Sequence, residues 1–437
     1  MLASIFLLLA LTGGSYFFGF SVFFNAILGE FGWDRAATAL AFSIASLEGG
    51  LESLVLGPLV DKYGPRKIMM VGVVLLGTGF FALSLINSIF TFYLVYMLLL
   101  GLGSNSANGI APLAAIANWF IKRRTIAFGF LSAGYSVGGG VMVPLLGLLV
   151  EAFGWRASAV ILCALTFLVG IPLVLTVRHK PEQYGYNPDG MSDEDAKELQ
   201  GDRDTGDIHG APAPRKNTFE PERDFTLRQA LKTRSFWMLA LSFAFRNLSL
   251  SSVIAHLVPL LVSRGFSAQT AANVLGLTAM MGTPGRLIFG FLGDMLPKRA
   301  LLITAFGLQA IGLWLLMTAS TLPQVYVFAA FMGMSWGSVP ILFSLRAEYF
   351  GRTNFASVSG FMQAVNTPAS FAGPVFAGLV FDRTQSYDIA FMVFMAACLV
   401  SMGLASLAAP PKAPSMPASD EPGEKIEGME LGKEAVP

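Results

Sequence analysis

Apolar residues fill most of the chain in runs of about 20 residues or more, each long enough to cross a lipid bilayer as a helix. Six runs precede a long polar stretch, and six follow it. The predicted spans are residues 3–29, 36–60, 67–87, 90–120, 125–151 and 157–177, then 235–262, 268–292, 300–319, 323–349, 354–381 and 388–408. The pattern predicts an all-α membrane protein with twelve transmembrane helices in two six-helix halves.

The polar stretches divide the chain further. We expect an N-terminal half over residues 1–178, a linker over 179–234, a C-terminal half over 235–408 and a tail over 409–437. The centre of the linker and the tail are rich in charge, Gly and Pro, which is typical of disordered segments. The end of the linker has a capping residue followed by apolar positions at helical spacing, and this predicts a short surface helix near residues 224–232.

The composition agrees with a bilayer environment. Only 13% of the residues are Asp, Glu, Lys or Arg, against about 25% in soluble domains. Residues 178–234 hold 22 of the 57 charged side chains and the tail holds 9, which leaves 26 for the other 351 residues. A soluble protein of this size cannot cover its surface with so few charges.

Basic residues predict the orientation, because Lys and Arg accumulate in cytoplasmic loops. The loops on the side of the linker, with Arg346 counted among them, hold 23 basic residues. The opposite loops hold only Arg35, Arg156, Arg264 and Arg383. We therefore expect a multi-pass protein of the cell membrane with both termini and the linker in the cytoplasm. A signal peptide is a weaker reading of the first span, which is long for one and has no preceding basic residue.

The two halves repeat one another. Gly57-Pro58-Leu59-Val60-Asp61 at the end of the second span recurs as Gly290-Phe291-Leu292-Gly293-Asp294 at the end of the eighth. Each copy has the same place relative to the spans of its half. Paired halves around a site near the middle of the membrane are typical of secondary transporters.

Several kinds of chemistry find no support in the sequence. Two cysteines in separate apolar runs and three scattered histidines indicate neither a disulfide framework nor a metal site. No phosphate-binding loop and no basic–aromatic platform is present, so we expect neither an ATP-driven pump nor a nucleic-acid partner. Matches to the nucleophile-elbow pattern at residues 134–138 and 333–337 lie inside membrane spans, where the same spacing allows close helix packing. We expect no enzyme and no bound cofactor.

Ionisable residues inside the spans are costly and usually line a cavity or have partners. There are five such residues: Glu48, Glu52, Arg246, His256 and Arg286. Two acids balance two arginines. It stays open whether Arg246 pairs with Glu48 or Glu52 only to satisfy their charges, or whether the group serves transport. His256 also has a purely structural reading, as a core histidine near the end of its helix.

The run over residues 57–67 resembles the loop signature of the major facilitator superfamily. The signature positions are Gly57, Asp61, Gly64 and Arg66, and the second copy ends at Asp294. In that superfamily the aspartate locks the cytoplasmic ends of the two halves together. The resemblance therefore implies that Asp61 and Asp294 are gating residues.

Other segments are similar to the monocarboxylate transporters and the oxalate:formate antiporters. They are residues 31–35, 118–124, 154–156, 231–237 and 285–286, within a resemblance that covers about residues 1–178 and 224–408. It implies that Arg286 binds the substrate carboxylate. The planar guanidinium group of an arginine can hold a carboxylate by two hydrogen bonds, which lysine cannot do.

The chain departs from these families at three places. Gly282 stands where many monocarboxylate transporters have an aspartate, and no basic residue precedes Arg35 where they have a lysine. The second cation of the oxalate:formate antiporter, a lysine in the eleventh span, is also missing. One available cation suits a monoanion, provided that an acid neutralises Arg246. A coupled proton needs another carrier, for which Glu48, Glu52 and His256 are candidates.

The favoured function is secondary active transport of small organic monoanions, such as lactate or pyruvate, with protons and by alternating access. Uncharged cavity residues are expected at the centres of the spans: Tyr16, Asn105, Asn108, Tyr135, Trp336, Gln363 and Asn366. Two alternatives remain open. One is an anion exchanger of the oxalate:formate type, and the other is a non-transporting ligand sensor.

The orientation can be tested in the linker. A cysteine introduced by Thr205→Cys should not react with a membrane-impermeant thiol reagent outside intact cells, and it should react once the cells are permeabilised. The parent chain with its two native cysteines gives the background. Strong labelling of intact cells would overturn the predicted orientation.

Overall fold

The structure, a computed structural model, describes residues 1–33, 35–191 and 224–412. All regular elements in these ranges are helices. The predicted disordered centre of the linker and most of the tail lie outside the described residues. We call the end of the helix bundle at which the linker leaves one half and enters the other the linker end.

Six spans, α1 to α6, form the N-terminal half. Span α1 consists of Leu2–Leu8, a π-helical stretch Leu9–Phe18 and Phe20–Phe31; α2 is Arg35–Tyr63, α3 is Pro65–Ser84 and α4 is Ile89–Trp119. Spans α5 and α6 are residues 124–153 and 155–175 of the run Arg124–Leu175. Gly154 separates them, because its φ of 79° and ψ of 161° are not helical and reverse the chain.

The C-terminal half has the same plan. Its spans are α7 (Arg234–Ser263), α8 (Ala268–Gly293), α9 (Lys298–Thr318), α10 (Leu322–Phe350), α11 (Phe355–Thr384) and α12 (Asp388–Leu407). The predicted fold class, an all-α protein with twelve membrane helices in two halves, is confirmed. One placement was wrong, because Arg346 was counted with the loops but lies inside α10 with 2% of its surface exposed.

The halves meet through two symmetry-related pairs of helices, α2 with α11 and α5 with α8. Small residues make both contacts possible. A Cβ atom at Gly57 of α2 would lie 2.6 Å from the backbone oxygen of Ala356 in α11. A Cβ atom at Gly129 of α5 would lie 2.8 Å from the backbone oxygen of Arg286 in α8. Both close approaches bring polar groups of the two halves within hydrogen-bonding reach.

The described ends of the linker are attached to one loop in each half. Asp189 accepts two backbone hydrogen bonds of 2.6 Å from the loop between α4 and α5. Asp224 accepts two, of 2.9 and 3.1 Å, from the loop between α10 and α11. A helix follows over Leu227–Leu231 and begins with a capping box formed by Thr226 and Gln229. The linker thus holds the loops that lead into α5 and α11.

Candidate functional site

Arg286 lies in α8 at the contact between the halves. Its guanidinium donates a hydrogen bond to the hydroxyl of Ser136 in α5, and its Nε atom is buried without a partner. The group also stands 4.9 Å from the ring centre of Trp336 in α10. Among the described residues no acid forms an ion pair with Arg286. A cation with an unused donor at the boundary of the two halves is suited to bind an anion.

Trp336 explains the glycine at position 282. A Cβ atom on Gly282 would lie 2.4 Å from the indole ring of Trp336, so no larger residue fits while the ring keeps this place. The indole thus occupies the space beside both Gly282 and Arg286. Arg286 therefore has an aromatic neighbour here and no acidic one on its own helix.

Close to Arg286, hydrogen bonds connect three side chains of the N-terminal half, Tyr135, Asn108 and Thr12. Tyr135 lies close enough to Arg286 for electrostatic interaction, and its hydroxyl donates to the backbone oxygen of Asn108 at 2.9 Å. The side-chain oxygen of Asn108 accepts a hydrogen bond of 2.6 Å from Thr12. The sequence analysis predicted Tyr135 and Asn108 as cavity residues but not Thr12 and Ser136. Serine and threonine are common in membrane helices, so a single sequence does not distinguish these two hydroxyls from others.

The two glutamates of α2 lie on the N-terminal side of these hydrogen bonds. Glu52 accepts a hydrogen bond of 2.8 Å from Asn105, which lies one helical turn before Asn108. Ser106 is a second and longer donor at 3.5 Å. The Oε2 atom of Glu48 is buried without a partner. Both carboxyl groups are therefore partly enclosed, and neither is neutralised by a described cation.

Of the alternatives left open for Arg246, an ion pair with Glu48 or Glu52 is not formed among the described residues. Arg246 lies on a face of α7 that packs inside the C-terminal half, where it is 1% exposed. Its guanidinium stands 5.5 Å over the ring of Phe243 and lies near the thiol of Cys398. Its Nε and one terminal nitrogen have no hydrogen-bond partner among the described residues. The rotation of α7 turns the charge away from the acids of the other half.

His256 has structural partners. Its Nε2 atom is 2.9 Å from the backbone oxygen of Pro374, and its Nδ1 atom is 3.2 Å from the hydroxyl of Tyr387. A backbone oxygen only accepts, so Nε2 carries the proton and Nδ1 accepts from the tyrosine. These bonds join α7 to α11 and to the start of α12. They support the structural reading of His256.

The remaining cavity candidates have separate surroundings. Tyr16 stacks on Tyr96 with ring centres 5.4 Å apart and lines a cavity of about 10 Å³ inside the N-terminal half. Asn366 of α11 is 2% exposed, and its side-chain oxygen has no partner. Gln363, one turn earlier, is half-buried. No described contact joins Tyr16, Gln363 or Asn366 to Arg286, so their role in binding stays a prediction.

Asp61 joins the halves at the linker end. It lies near the end of α2 and accepts hydrogen bonds from the backbone N–H groups of Ala356 at 3.1 Å and Ser357 at 2.8 Å, and another from the Ser357 hydroxyl. Both N–H groups belong to the first turn of α11, where a helix has no internal acceptors for them. A carboxylate is favoured there because the N-terminus of a helix carries partial positive charge.

Asp294 makes the corresponding contact in the second half of the repeat. It follows α8 and accepts hydrogen bonds from the backbone N–H groups of Thr125 at 2.9 Å and Ile126 at 3.1 Å, in the first turn of α5. Each half thus uses one aspartate to cap a helix of the other half. At the opposite end of the bundle, the described ion pairs Arg156–Glu30 and Arg264–Asp388 each stay within one half.

The turn between α2 and α3 depends on the other signature residues. Gly64 has a φ of 84°, which only glycine adopts readily, and it lets Pro65 begin α3 directly. Arg66 is exposed beside this turn. The ring of His179 packs over Gly64, and burial lowers the pKa of this histidine below its usual value. Gly64, Pro65 and Arg66 therefore belong to the turn, whereas Gly57 and Asp61 of the same motif contact the other half.

Among the described residues, no group of three or more His, Cys, Asp or Glu side chains could hold a metal ion. The two patterns that mimic a nucleophile elbow are close helix contacts. A Cβ atom at Gly138 would lie 2.3 Å from the backbone oxygen of Ala10, and one at Gly333 would lie 2.3 Å from the Cβ atom of Met281. The packing interpretation of these glycines is confirmed.

Comparisons with known proteins agree with this architecture. The model of the Major Facilitator Superfamily matches residues 5–374 and 285–430. The oxalate:formate antiporter of Oxalobacter formigenes is 24% identical over 413 residues, which cover 94% of this chain and 91% of the antiporter. Monocarboxylate transporter 4 of Mus musculus is 28% identical over 404 residues, which cover 90% and 79%. The predicted relationship to these two groups is confirmed.

Solved structures show the same fold at low identity. The proton:xylose symporter XylE bound to 6-bromo-6-deoxy-D-glucose has a TM-score of 0.70 at 15% identity, over 94% of this chain and 96% of the symporter. The human organic anion transporter MFSD10 has a TM-score of 0.65 at 15% identity, over 92% and 98%. The relatives are transporters, which confirms the expectation that the chain is not an enzyme.

The geometry around Arg286 predicts the effect of one conservative substitution. Arg286→Lys keeps the charge but loses the planar fork and the bond to Ser136, so affinity for small carboxylates should fall by about tenfold to a hundredfold. Equilibrium binding to the purified protein measures this. Arg264→Lys, which changes an arginine at the opposite end of the bundle, is the matched control. Equal affinities for every accepted anion in wild type and Arg286→Lys would remove Arg286 from the binding site.

Proposed function

The chain belongs to the major facilitator superfamily, and we propose that it is a secondary active transporter that moves small organic monoanions of the monocarboxylate class together with protons. In this proposal the N-terminal and C-terminal halves, residues 1–178 and 235–408, rock against each other around Arg286. The linker joins the two halves on the cytoplasmic side of the cell membrane. The relationship to monocarboxylate transporters and to an oxalate:formate antiporter supports an organic anion as the substrate.

The proposal rests on the surroundings of Arg286. The residue lies where α5 and α8 meet, and its Nε donor has no partner in the protein. A carboxylate can accept from this nitrogen, and it satisfies a cation for which the described structure provides no acid. The indole of Trp336 and the hydroxyl of Tyr135 supply an apolar surface and a polar neighbour for a short organic chain.

The number of accessible cations supports a monoanion. Arg286 is half-buried at the interface, whereas Arg246 is 1% exposed and turned into its own half. The sequence analysis required an acid to neutralise Arg246. No described acid does so, but the surrounding protein shields its charge from the interface. A single carboxylate therefore has one arginine within reach in this conformation.

The unpaired glutamates support proton coupling. Glu48 and Glu52 have no described basic partner, and an apolar span favours the neutral, protonated form of a carboxyl group. Glu52 is connected through Asn105 to the helical turn that holds Asn108, and from there to Tyr135 beside Arg286. We assign the transported proton to Glu52, with Glu48 as its neighbour. The proton cancels a cost of about 2.3 kcal/mol per 100 mV for a monoanion that enters a negative interior.

A second candidate is exchange of anions of the oxalate:formate type. One specific observation favours it: Arg246 lacks an acidic partner and lies close enough to Arg286 for the two charges to repel each other. A dianion would neutralise both arginines if Arg246 turned toward the interface. Competition by oxalate against a labelled monocarboxylate distinguishes the two candidates, because only the second predicts strong competition.

Proton coupling can be tested in proteoliposomes that contain the purified protein. A pH gradient, acidic outside, should drive wild type to accumulate a labelled monocarboxylate above its external concentration. Glu52→Gln should lose this accumulation but keep exchange of internal for external substrate, since exchange needs no net proton movement. Glu151→Gln, at an exposed position near the end of α5, is the control and should behave as wild type.

Two outcomes would contradict the assignment. If Glu52→Gln and Glu48→Gln both accumulate substrate like wild type, the proton is carried elsewhere. If wild type ignores the gradient but exchanges substrate, the protein is an exchanger, and the glutamates have a structural role. A protein that binds a monocarboxylate but shows neither flux nor exchange would be a sensor.

A further inference from the structure

Another buried arginine lies between the candidate site and the linker end. Arg346 of α10 is 2% exposed, its Nε atom is buried without a hydrogen-bond partner, and no acid among the described residues forms an ion pair with it. Its guanidinium stands 5.3 Å from the ring centre of Phe343 and 5.8 Å from that of Phe243. Cation–π contacts stabilise a desolvated guanidinium, but they offset only part of the cost of burying a charge without an ionic partner. The closed conformation therefore leaves this cation poorly compensated.

Arg346 lies directly behind the aromatic contact that closes the linker end. Phe343 packs on Phe128 of the other half with ring centres 5.6 Å apart, and Phe128 packs on Phe355 of α11 at 6.1 Å. The hydroxyls of Thr125 and Ser344 form a hydrogen bond of 2.8 Å across the same seam. Separation of the halves here would remove the cover over Arg346.

Arg246, Arg286 and Arg346 form a series within the C-terminal half. Arg246 and Arg286 lie close enough to repel each other. Arg246 and Arg346 share the ring of Phe243, at 5.5 and 5.8 Å. Arg286 is eight residues from Asp294, about 12 Å of helix rise, and Arg346 is four residues from the end of α10, about 6 Å. The series thus extends from the candidate site toward the linker side, without an acid paired to any member among the described residues.

We propose that Arg346 is a second anion-binding residue, which receives the carboxylate from Arg286 when the linker end opens and releases it on the linker side. This inference rests on the proposed transport function. Arg346 is covered while the linker end is closed, so it contributes nothing to binding from the opposite side. Only when the linker end is open can a substrate carboxylate neutralise the charge of Arg346. A cation at this place also attracts anions that enter from the linker side.

The test separates binding at Arg286 from binding on the linker side. Trp336 reports the first, because its ring lies against Arg286, and subtracting the signal of Trp336→Phe isolates it from the other tryptophans. Transport of a labelled monocarboxylate in inside-out and right-side-out membrane vesicles reports the second. Arg346→Met removes the charge at similar length, and Arg346→Lys keeps it. Arg299→Met, which removes a half-buried arginine of the same half bonded to the backbone oxygen of Ser406, is the matched control.

Arg346→Met should leave the affinity reported by Trp336 within about twofold of wild type and raise the half-saturation concentration from the linker side about tenfold. Arg346→Lys should restore most of the linker-side affinity, which a purely structural role of the guanidinium would not predict. Arg299→Met should match wild type on both sides. The assays are run with chloride and with sulfate as the bulk anion.

Other results would overturn the inference. The inference is wrong if wild type and Arg346→Met have equal half-saturation concentrations on both sides. It is also wrong if Arg346→Met loses affinity equally on both sides and Arg346→Lys does not restore it. An effect seen only in chloride would assign the site to an inorganic anion. A wild type that moves no monocarboxylate would overturn the proposed function itself, and this inference with it. If Arg346→Met does not fold, the sidedness of Arg346→Lys decides, because even the altered cation should change only the linker-side value.

Discussion

Carboxylates that cap helices across the interface are the contact on which the rest of this structure depends. Asp61 satisfies the first turn of α11, and Asp294 satisfies the first turn of α5. Each aspartate needs the other half to be in place, because its partners are backbone groups of that half. The linker adds Asp189 and Asp224, each of which accepts hydrogen bonds from a loop of one half and does not bridge the two. We therefore propose that the two signature aspartates hold the linker end closed, through the symmetry that the repeated motif encodes.

The closed linker end determines what the buried charges can do. The acids of the described membrane interior, Glu48 and Glu52, belong to the N-terminal half, and the arginines belong to the C-terminal half. Ion pairs between them would add a second lock near the middle of the membrane. In the proposed mechanism, their separation leaves the carboxyl groups free to bind a proton and Arg286 free to bind an anion.

Much of this arrangement could be predicted from the sequence, because hydrophobic runs fix the spans and a repeated motif fixes the symmetry. Resemblance to a family predicted Asp61 and Asp294 as gating residues and Arg286 as the residue that binds the substrate carboxylate. It could not predict the direction in which a side chain points from its helix. For this reason the pairing of Arg246 with Glu48 or Glu52 stayed open in the sequence, and the structure shows that α7 turns Arg246 inward. Likewise Gly282 could not be explained before the position of Trp336 was known.

The central claim, that the two aspartate caps hold the linker end closed, can be measured as a distance. Spin labels at positions 67 and 300, which begin the corresponding helices α3 and α9 of the two halves, report the separation at this end by double electron–electron resonance, with Cys163 and Cys398 replaced. Wild type should give one short distance. Asp61→Asn combined with Asp294→Asn should add a longer one, because an amide cannot accept as many backbone hydrogen bonds as a carboxylate. An unchanged short distance in the double variant would contradict the account.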